Sequence, residues 1–279
     1  MRNTSHLGEE PLAVCRLGLA TRGNTHLWVE DVEHAVERGV NYLNWCGKPD
    51  ALSKAVAEMG ERRKDVVLAV QFKASGGDEA AREFDWILEQ IKSDYLDVAT
   101  FYYVESEREW EQIVGPGGAW QILARLKREG ALKMIGLTSH QRKLAADWVQ
   151  QTDPETGQRR LDMLMIRYNA AHRGAESDVF PVTDALGTPV VTFTGLRWKD
   201  LMGATPDDPA GFVPPPAPDC YRFCLAHDSV AVALAAPGNR EELEQDLAVL
   251  DDWGPLGKEA MESIRRHGDR VRKHAREFW

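Results

Sequence analysis

The chain has 279 residues, with 34 Lys and Arg against 44 Asp and Glu, a net charge of −10. That balance argues against a nucleic-acid or anionic-membrane partner, since either wants a basic face, while leaving a local phosphate site open. Hydrophobic residues make up 43% of the chain, enough for a sizeable core. A single α/β barrel uses about 250 residues, so one domain over residues 1–279 is the expectation. The opening Met-Arg-Asn-Thr-Ser-His lacks the apolar core of a secretory signal. No apolar run approaches the roughly 20 residues of a membrane span. Cys15, Cys46, Cys220 and Cys224 are too few for a disulfide scaffold, so a reducing cytoplasm is the expected compartment. Cys220 and Cys224 can share a helix face, but without a second pair nearby they read as buried thiols rather than a half-site for zinc.

Short apolar, β-branched-rich runs alternate with amphipathic ones. Strands are predicted at residues 14–21, 40–46, 66–72, 95–102, 133–138, 161–169, 189–194 and 230–235. Most are apolar on both faces, as parallel strands covered on both sides should be. Helical spacing of apolar residues predicts helices at 27–38, 51–59, 79–91, 119–127, 142–150 and 241–250. Asn239 is placed as the N-cap of the last of these. A charged helix at 257–277 reads as a lid or an outer-ring addition. Eight strand–helix units without a linker predict an α/β fold, the (β/α)8 TIM barrel with an extra C-terminal helix. The Pro-rich stretch 205–219 is expected to be a loop over the active face.

Barrel function collects at the C-terminal strand ends. The expected mouth is therefore residues 21–24, 44–49, 71–75, 102–105, 138–140, 169–173, 194–199 and 236–240. No metal-ligand spacing, P-loop or Gly-x-Gly-x-x-Gly is found there.

The local strings carry a resemblance. Leu17-Gly18-Leu19-Ala20-Thr21 is similar to Leu-Gly-x-Gly-Thr, and Gly39-Val40-Asn41-Tyr42-Leu43-Asn44 to Gly-Val-Asn-Phe-x-Asp. Asp94-Tyr95-Leu96-Asp97-Val98 follows Asp-Tyr-x-Asp-Leu, and residues 130–139, ending Gly136-Leu137-Thr138-Ser139, follow Gly-Lys-x-Arg-x-Ile-Gly-x-Ser-Asn. Tyr168-Asn169, Phe193-Thr194-Gly195-Leu196 through Gly203, and Asn239 to Leu247 complete the series. In this order and at barrel spacing, the chain resembles the aldo-keto reductase superfamily.

The resemblance implies an NAD(P)H-dependent oxidoreductase that reduces a small carbonyl substrate, with NADP or NAD as cofactor. It also implies a departure from the family's Asp, Tyr, Lys and His. Asn44 stands at the Asp position, Gln71 at the Lys position and Tyr102 at the His position, and no Tyr falls between Asn44 and Leu52. The catalytic candidates are therefore a non-standard set. Lys73 lies on the strand face of Gln71, Tyr102 is the proposed donor with Lys73 or His172 assisting, and Tyr42 shares a face with Asn44. Cys46 is a nucleophile if an adjacent cation lowers its pKa, and otherwise inert.

By the same resemblance the cofactor would contact Thr21, Thr138, Ser139, Asn169, Phe193, Thr194, Leu196, Arg197, Gly238, Arg240, Glu242 and Asp246. Phe193 would stack on the nicotinamide, and Arg197 and Arg240 are the cations available to phosphate. Glu242 and Asp246 stand where the family has amides, and two carboxylates there would repel a 2′-phosphate. The segment Tyr168 to Glu176, with Arg197 and Trp198, suits a carboxylate or phosphate on an anionic small-molecule substrate, with His172 titrating near pH ~6.5 if unperturbed. Its structural alternative is a loop ion pair between Arg173 and Glu176. The alternative function is a redox-inactive barrel: a cofactor-free lyase, isomerase or hydrolase, or a non-catalytic binding or regulatory protein.

Overall fold

The computed structural model describes residues 3–7, 12–21 and 26–274. Eight parallel strands close a barrel: β3 (Leu17–Ala20), β4 (Tyr42–Trp45), β5 (Val67–Phe72), β6 (Leu96–Phe101), β7 (Leu132–Ser139), β8 (Met163–Arg167), β9 (Val190–Phe193) and β10 (Val230–Ala235). They pair in chain order, and β10 returns to β3 through Leu234↔Gly18. Ahead of them β1 (Thr4–Leu7) and β2 (Leu12–Cys15) form an antiparallel hairpin. The first predicted strand is thus two elements. The chain breaks at Arg16, whose guanidinium donates to the carbonyls of Leu225 and Val230. Leu7 and Val14 of the hairpin are fully buried in the barrel-interior cluster.

Strand alternation divides the core in two. On β8, Met163 and Met165 point into the barrel while Leu164 and Ile166 face the helices. Gly18 is obligatory in the inner layer, since a Cβ there would lie 2.9 Å from Tyr42, Val232 and Leu234. Outside, Asp97 of β6 ties three strands together. Its carboxylate accepts from Arg63 at 2.8 Å, from Lys133 at 2.8 Å and from the Leu68 amide at 2.9 Å.

The helices are α1 (Val29–Glu37), α2 (Ala51–Glu58), α3 (Gly77–Ile91), α4 (Glu107–Val114), α5 (Ala119–Arg128), α6 (Arg142–Trp148), α7 (Ala175–Asp178), α8 (Phe180–Leu186), α9 (Ala217–Leu225), α10 (Arg240–Leu247) and α11 (Lys258–His274). Residues 275–277 of the last predicted helix lie outside the described residues. Helix α9 begins inside the predicted loop because Pro218 falls in its first turn, where a missing N–H leaves nothing unpaired. It buries both Cys220 and Cys224, and burial pushes the Cys220 thiol up to about 12.

The stretch before α9 is no cover for the mouth. Asp208 accepts from Arg270 at 2.6 Å and meets His267 at 3.2 Å, while Lys273 reaches Asp207 at 2.6 Å. These charges of α11 hold the segment to the outer ring. Gly268 lets α11 sit against the turn after β8, because a Cβ there would fall 2.2 Å from the Ala170 carbonyl oxygen. Among the described residues, no helix is long and apolar enough to cross a membrane.

Candidate functional site

A cavity of about 550 Å³ opens at the C-terminal ends of the strands. Its walls come from the last inward residues of β3, β4, β5, β8 and β9 and from the loops that follow the strands, including Tyr102 and Tyr103 after β6. That size falls in the range of small-molecule sites. Residues 22–24 of the expected mouth lie outside the described residues.

Asn44, Cys46, Gln71, Lys73 and Tyr102 all line this cavity, as strand alternation requires. Asn44 is 1% exposed, and its Oδ1 has no hydrogen-bond partner among the described residues. Lys73 is exposed, and Glu83 fixes its backbone by accepting the Lys73 and Ala74 amides at 3.0 and 2.7 Å. The Tyr102 phenol is pushed up to about 12, first by burial and then by Tyr103, whose ring centroid lies 4.0 Å away. Tyr103, at φ +48°, continues the aromatic stack to His140 at 4.6 Å, and His140 meets Phe193 edge-on at 5.7 Å. Glu105 holds the His140 ring through Nδ1 at 3.0 Å.

Three expectations are corrected. Cys46 is not an activated nucleophile, because burial and the Asp50 carboxylate at 3.8 Å raise its thiol pKa and outweigh Lys73. Tyr42 is fully buried in the barrel interior and does not reach the cavity wall. His172 is not part of that wall either. Burial, then Arg167, Arg197, Arg272 and Arg142, lower its imidazole to about 4, so it is neutral near pH 7 rather than poised to titrate.

Of the residues assigned to a cofactor, Thr21, Phe193, Thr194, Leu196, Glu242 and Asp246 line the cavity. The loop after β9 holds an unusual backbone: Thr194, Arg197, Trp198 and Lys199 all have φ between +48° and +75°. Left-handed conformations are costly for such side chains and cluster at functional sites. Arg197 sits beneath this loop, 3% exposed, paired with Asp200 at 3.0 Å and packed on Trp198. It is a support of the loop rather than an available cation.

Arg240 is also committed, to Asp31 at 3.0 Å and Glu244 at 2.8 Å. Gly238 gives its amide to Glu242 at 2.9 Å. Asn169 spends its amide locally, donating to the Thr194 carbonyl at 2.8 Å and accepting from the Ala171 and His172 amides. Ser139 is fully buried and accepts the Gln141 amide at 2.9 Å. Thr138 is fully buried beside Met165, outside the cavity wall, with its hydroxyl unpartnered among the described residues.

The segment from Tyr168 to Glu176 anchors α11 instead of lining the mouth. Arg173 pairs with Asp269 at 2.7 Å, and Glu176 pairs with Arg265 at 2.9 Å while accepting the Tyr168 hydroxyl at 2.7 Å. The expected Arg173–Glu176 pair is replaced because a helix distant in sequence supplies better-placed partners. Tyr221 and Gln245 are wall residues that the sequence reading missed, while Tyr103 falls in the expected stretch 102–105. Gln245 was legible, since it lies three residues after Glu242 and on the same side of α10. The orientation of Tyr103 was not, because it depends on a reversed backbone dihedral.

No curated protein matches this sequence. In fold, the chain is similar to aldo-keto reductase AKR11C1 from Bacillus halodurans: its holo form gives a TM-score of 0.75 at 17% identity over 96% of each chain. The apo form gives 0.72 at the same identity and coverage. The sequence model of the aldo/keto reductase family matches residues 17–198, from β3 to the left-handed loop after β9. With more than half of the chain matched, the protein belongs to the aldo/keto reductase family.

Proposed function

We propose that the protein is a pyridine-nucleotide-dependent reductase of a small carbonyl compound, with Tyr102 as the proton donor. The observation that carries this reading is the single cavity that contains Phe193, Tyr102, Lys73 and the buried, unpartnered Asn44 Oδ1. Buried polar atoms are ordinarily paired, so an orphan in a cavity wall points to a ligand donor. The bound nucleotide would supply the hydride. Phe193 offers its ring as the stacking face. Lys73 brings a positive charge to the oxygen that becomes negative as the carbonyl is reduced.

Tyr102 keeps its proton at every physiological pH, since its phenol is raised to about 12. An alkoxide is a stronger base than a phenolate, so proton transfer from Tyr102 still runs downhill. The neighbours acting on the phenol are Tyr103 and Cys46, which do not make it a better acid, so slow turnover is expected.

The test is titration with NADH and NADPH, followed by protein and nicotinamide fluorescence, and then turnover of a carbonyl panel. Saturable binding below millimolar is expected for at least one nucleotide. Tyr102→Phe should lower kcat by about 10²-fold or more without changing nucleotide affinity, the usual contribution of a positioned acid. Absence of binding at millimolar nucleotide would remove this reading. A barrel without redox chemistry is the second reading, favoured by the pairing of Arg197, Lys199 and Arg240 with the chain's own carboxylates. Tight binding with no carbonyl turned over would support it.

A further inference from the structure

Strand order places the ends of β6 and β10 four steps apart around an eight-stranded barrel, on opposite sides of the mouth. A molecule filling the cavity from Tyr102 therefore reaches α10, where Lys199, Glu242, Gln245 and Asp246 form the wall. Helix N-termini ordinarily attract phosphate through free amides and the helix dipole. Here the chain has filled that place itself. Asn239 Oδ1 accepts the Glu242 amide at 3.0 Å, and the Glu242 carboxylate accepts the Gly238 amide at 2.9 Å. The same carboxylate takes Lys199 Nζ at 2.6 Å and Asn239 Nδ2 at 3.1 Å.

Arg240 beyond it is held by Asp31 and Glu244. Asp246 is 3% exposed, in contact with Tyr221, and burial followed by the Glu242 charge raises its carboxyl to about 7. A phosphomonoester dianion placed here would meet two acidic groups, with the adjacent ammonium already engaged. A sugar diol is different, because it donates hydrogen bonds. A carboxylate has about four lone-pair sites, and Glu242 has used three. An acidic side chain on the ribose diol is a recurrent way of holding the unphosphorylated nucleotide.

We propose that this wall selects the nucleotide without a 2′-phosphate: the protein binds NADH in preference to NADPH, and Glu242 is the discriminating residue. The proposal rests on the nucleotide reading above. Direct binding to the full chain, by calorimetry with NADH and NADPH at pH 7.5 and 0.15 M salt, tests it without any need for turnover. A Kd for NADH at least about tenfold lower is expected, a difference of one decade on the affinity scale. Glu242→Gln should shrink that ratio, and Glu242→Arg should bring NADPH to parity or beyond, with thermal melts confirming that both variants fold.

Competition of bound NADH by ADP against 2′,5′-ADP should show the same order. NADPH binding as tightly as NADH to the unaltered protein overturns the proposal while leaving the reductase reading intact. A ratio unmoved in both folded variants overturns the role of Glu242. Binding of neither nucleotide removes the reductase reading, and the selectivity with it.

Discussion

Asp246 shows how far tertiary surroundings can move one side chain from its ordinary chemistry. Burial first, then the Glu242 charge, raises its carboxyl to about 7, while the Tyr221 hydrogen bond pulls the other way. Its folded pKa therefore lies above its unfolded value near 3.9. The folded state binds the proton more tightly, so this stability is fully present below about pH 4 and is lost as pH rises through about 7. Asp246→Asn keeps an acceptor for Tyr221 and removes the charge. At pH 8 the variant should be more stable than the unaltered protein by on the order of 2–4 kcal/mol, read as a higher thermal midpoint, with the two converging toward pH 4. Equal midpoints at pH 8 would show that the carboxyl is not raised. Cys46, also raised, and His172, lowered, make the same point. Their side-chain types suggested a nucleophile and a titrating base, and burial with Asp50 or with four arginines denied both roles.

At the level of elements, α11 decides the outer face of the molecule. The sequence showed its charge pattern and left open whether it is a lid. The pairs to Asp207, Asp208 and Glu176 place it against the stretch before α9 and the turn after β8. At Gly268 the helix leaves no room for a Cβ against the Ala170 backbone. In a helix interior Ala is favoured over Gly by about 1 kcal/mol, so helix propensity alone predicts that Gly268→Ala stabilises. The structure predicts the opposite sign, since the new Cβ would stand 2.2 Å from a backbone oxygen that cannot rotate away. A loss of roughly 1–3 kcal/mol is expected from such overpacking, read as a lower denaturation midpoint. The left-handed loop after β9 was equally hidden. Nothing in Arg197-Trp198-Lys199 favours positive φ, and the conformation goes with the burial of Arg197, which pairs with the exposed Asp200.

For the molecule as a whole, closure of the barrel rests in part on a charge network. Asp97 is 1% exposed and joins β6 to Lys133 on β7, to the Leu68 amide of β5 and to Arg63. Asp97→Ala would leave the Arg63 guanidinium buried without its carboxylate, a change that typically costs 3–5 kcal/mol. Chemical denaturation followed by circular dichroism and by tryptophan fluorescence should show a lowered midpoint shared by both probes. An unfolding free energy within about 0.5 kcal/mol of the unaltered protein, the size of an ordinary surface change, would discount the network.

The strand order and the face each mouth residue presents were legible from the chain alone, because a period of two and a run of doubly apolar strands permit few arrangements. Asn44, Gln71, Lys73 and Tyr102 therefore fall together as expected. What the sequence could not supply is the state of the charged groups. Arg197, Arg240 and His172 look available in a linear reading; Asp31 beside Arg240 and the arginines Arg197, Arg272 and Arg142 around His172 come from other segments, while Arg197 is taken by the nearby Asp200. A net charge of −10 argued against nucleic-acid and anionic-membrane partners at the outset. The resemblance had already put two carboxyl groups, Glu242 and Asp246, at the cofactor's place, and both line the cavity; only the tertiary structure showed Glu242 tied to Lys199 and the Gly238 amide, and Asp246 buried. Local pattern determines which way a side chain points. Ionisation and pairing depend on burial and on distance, and these exist only once the chain is folded.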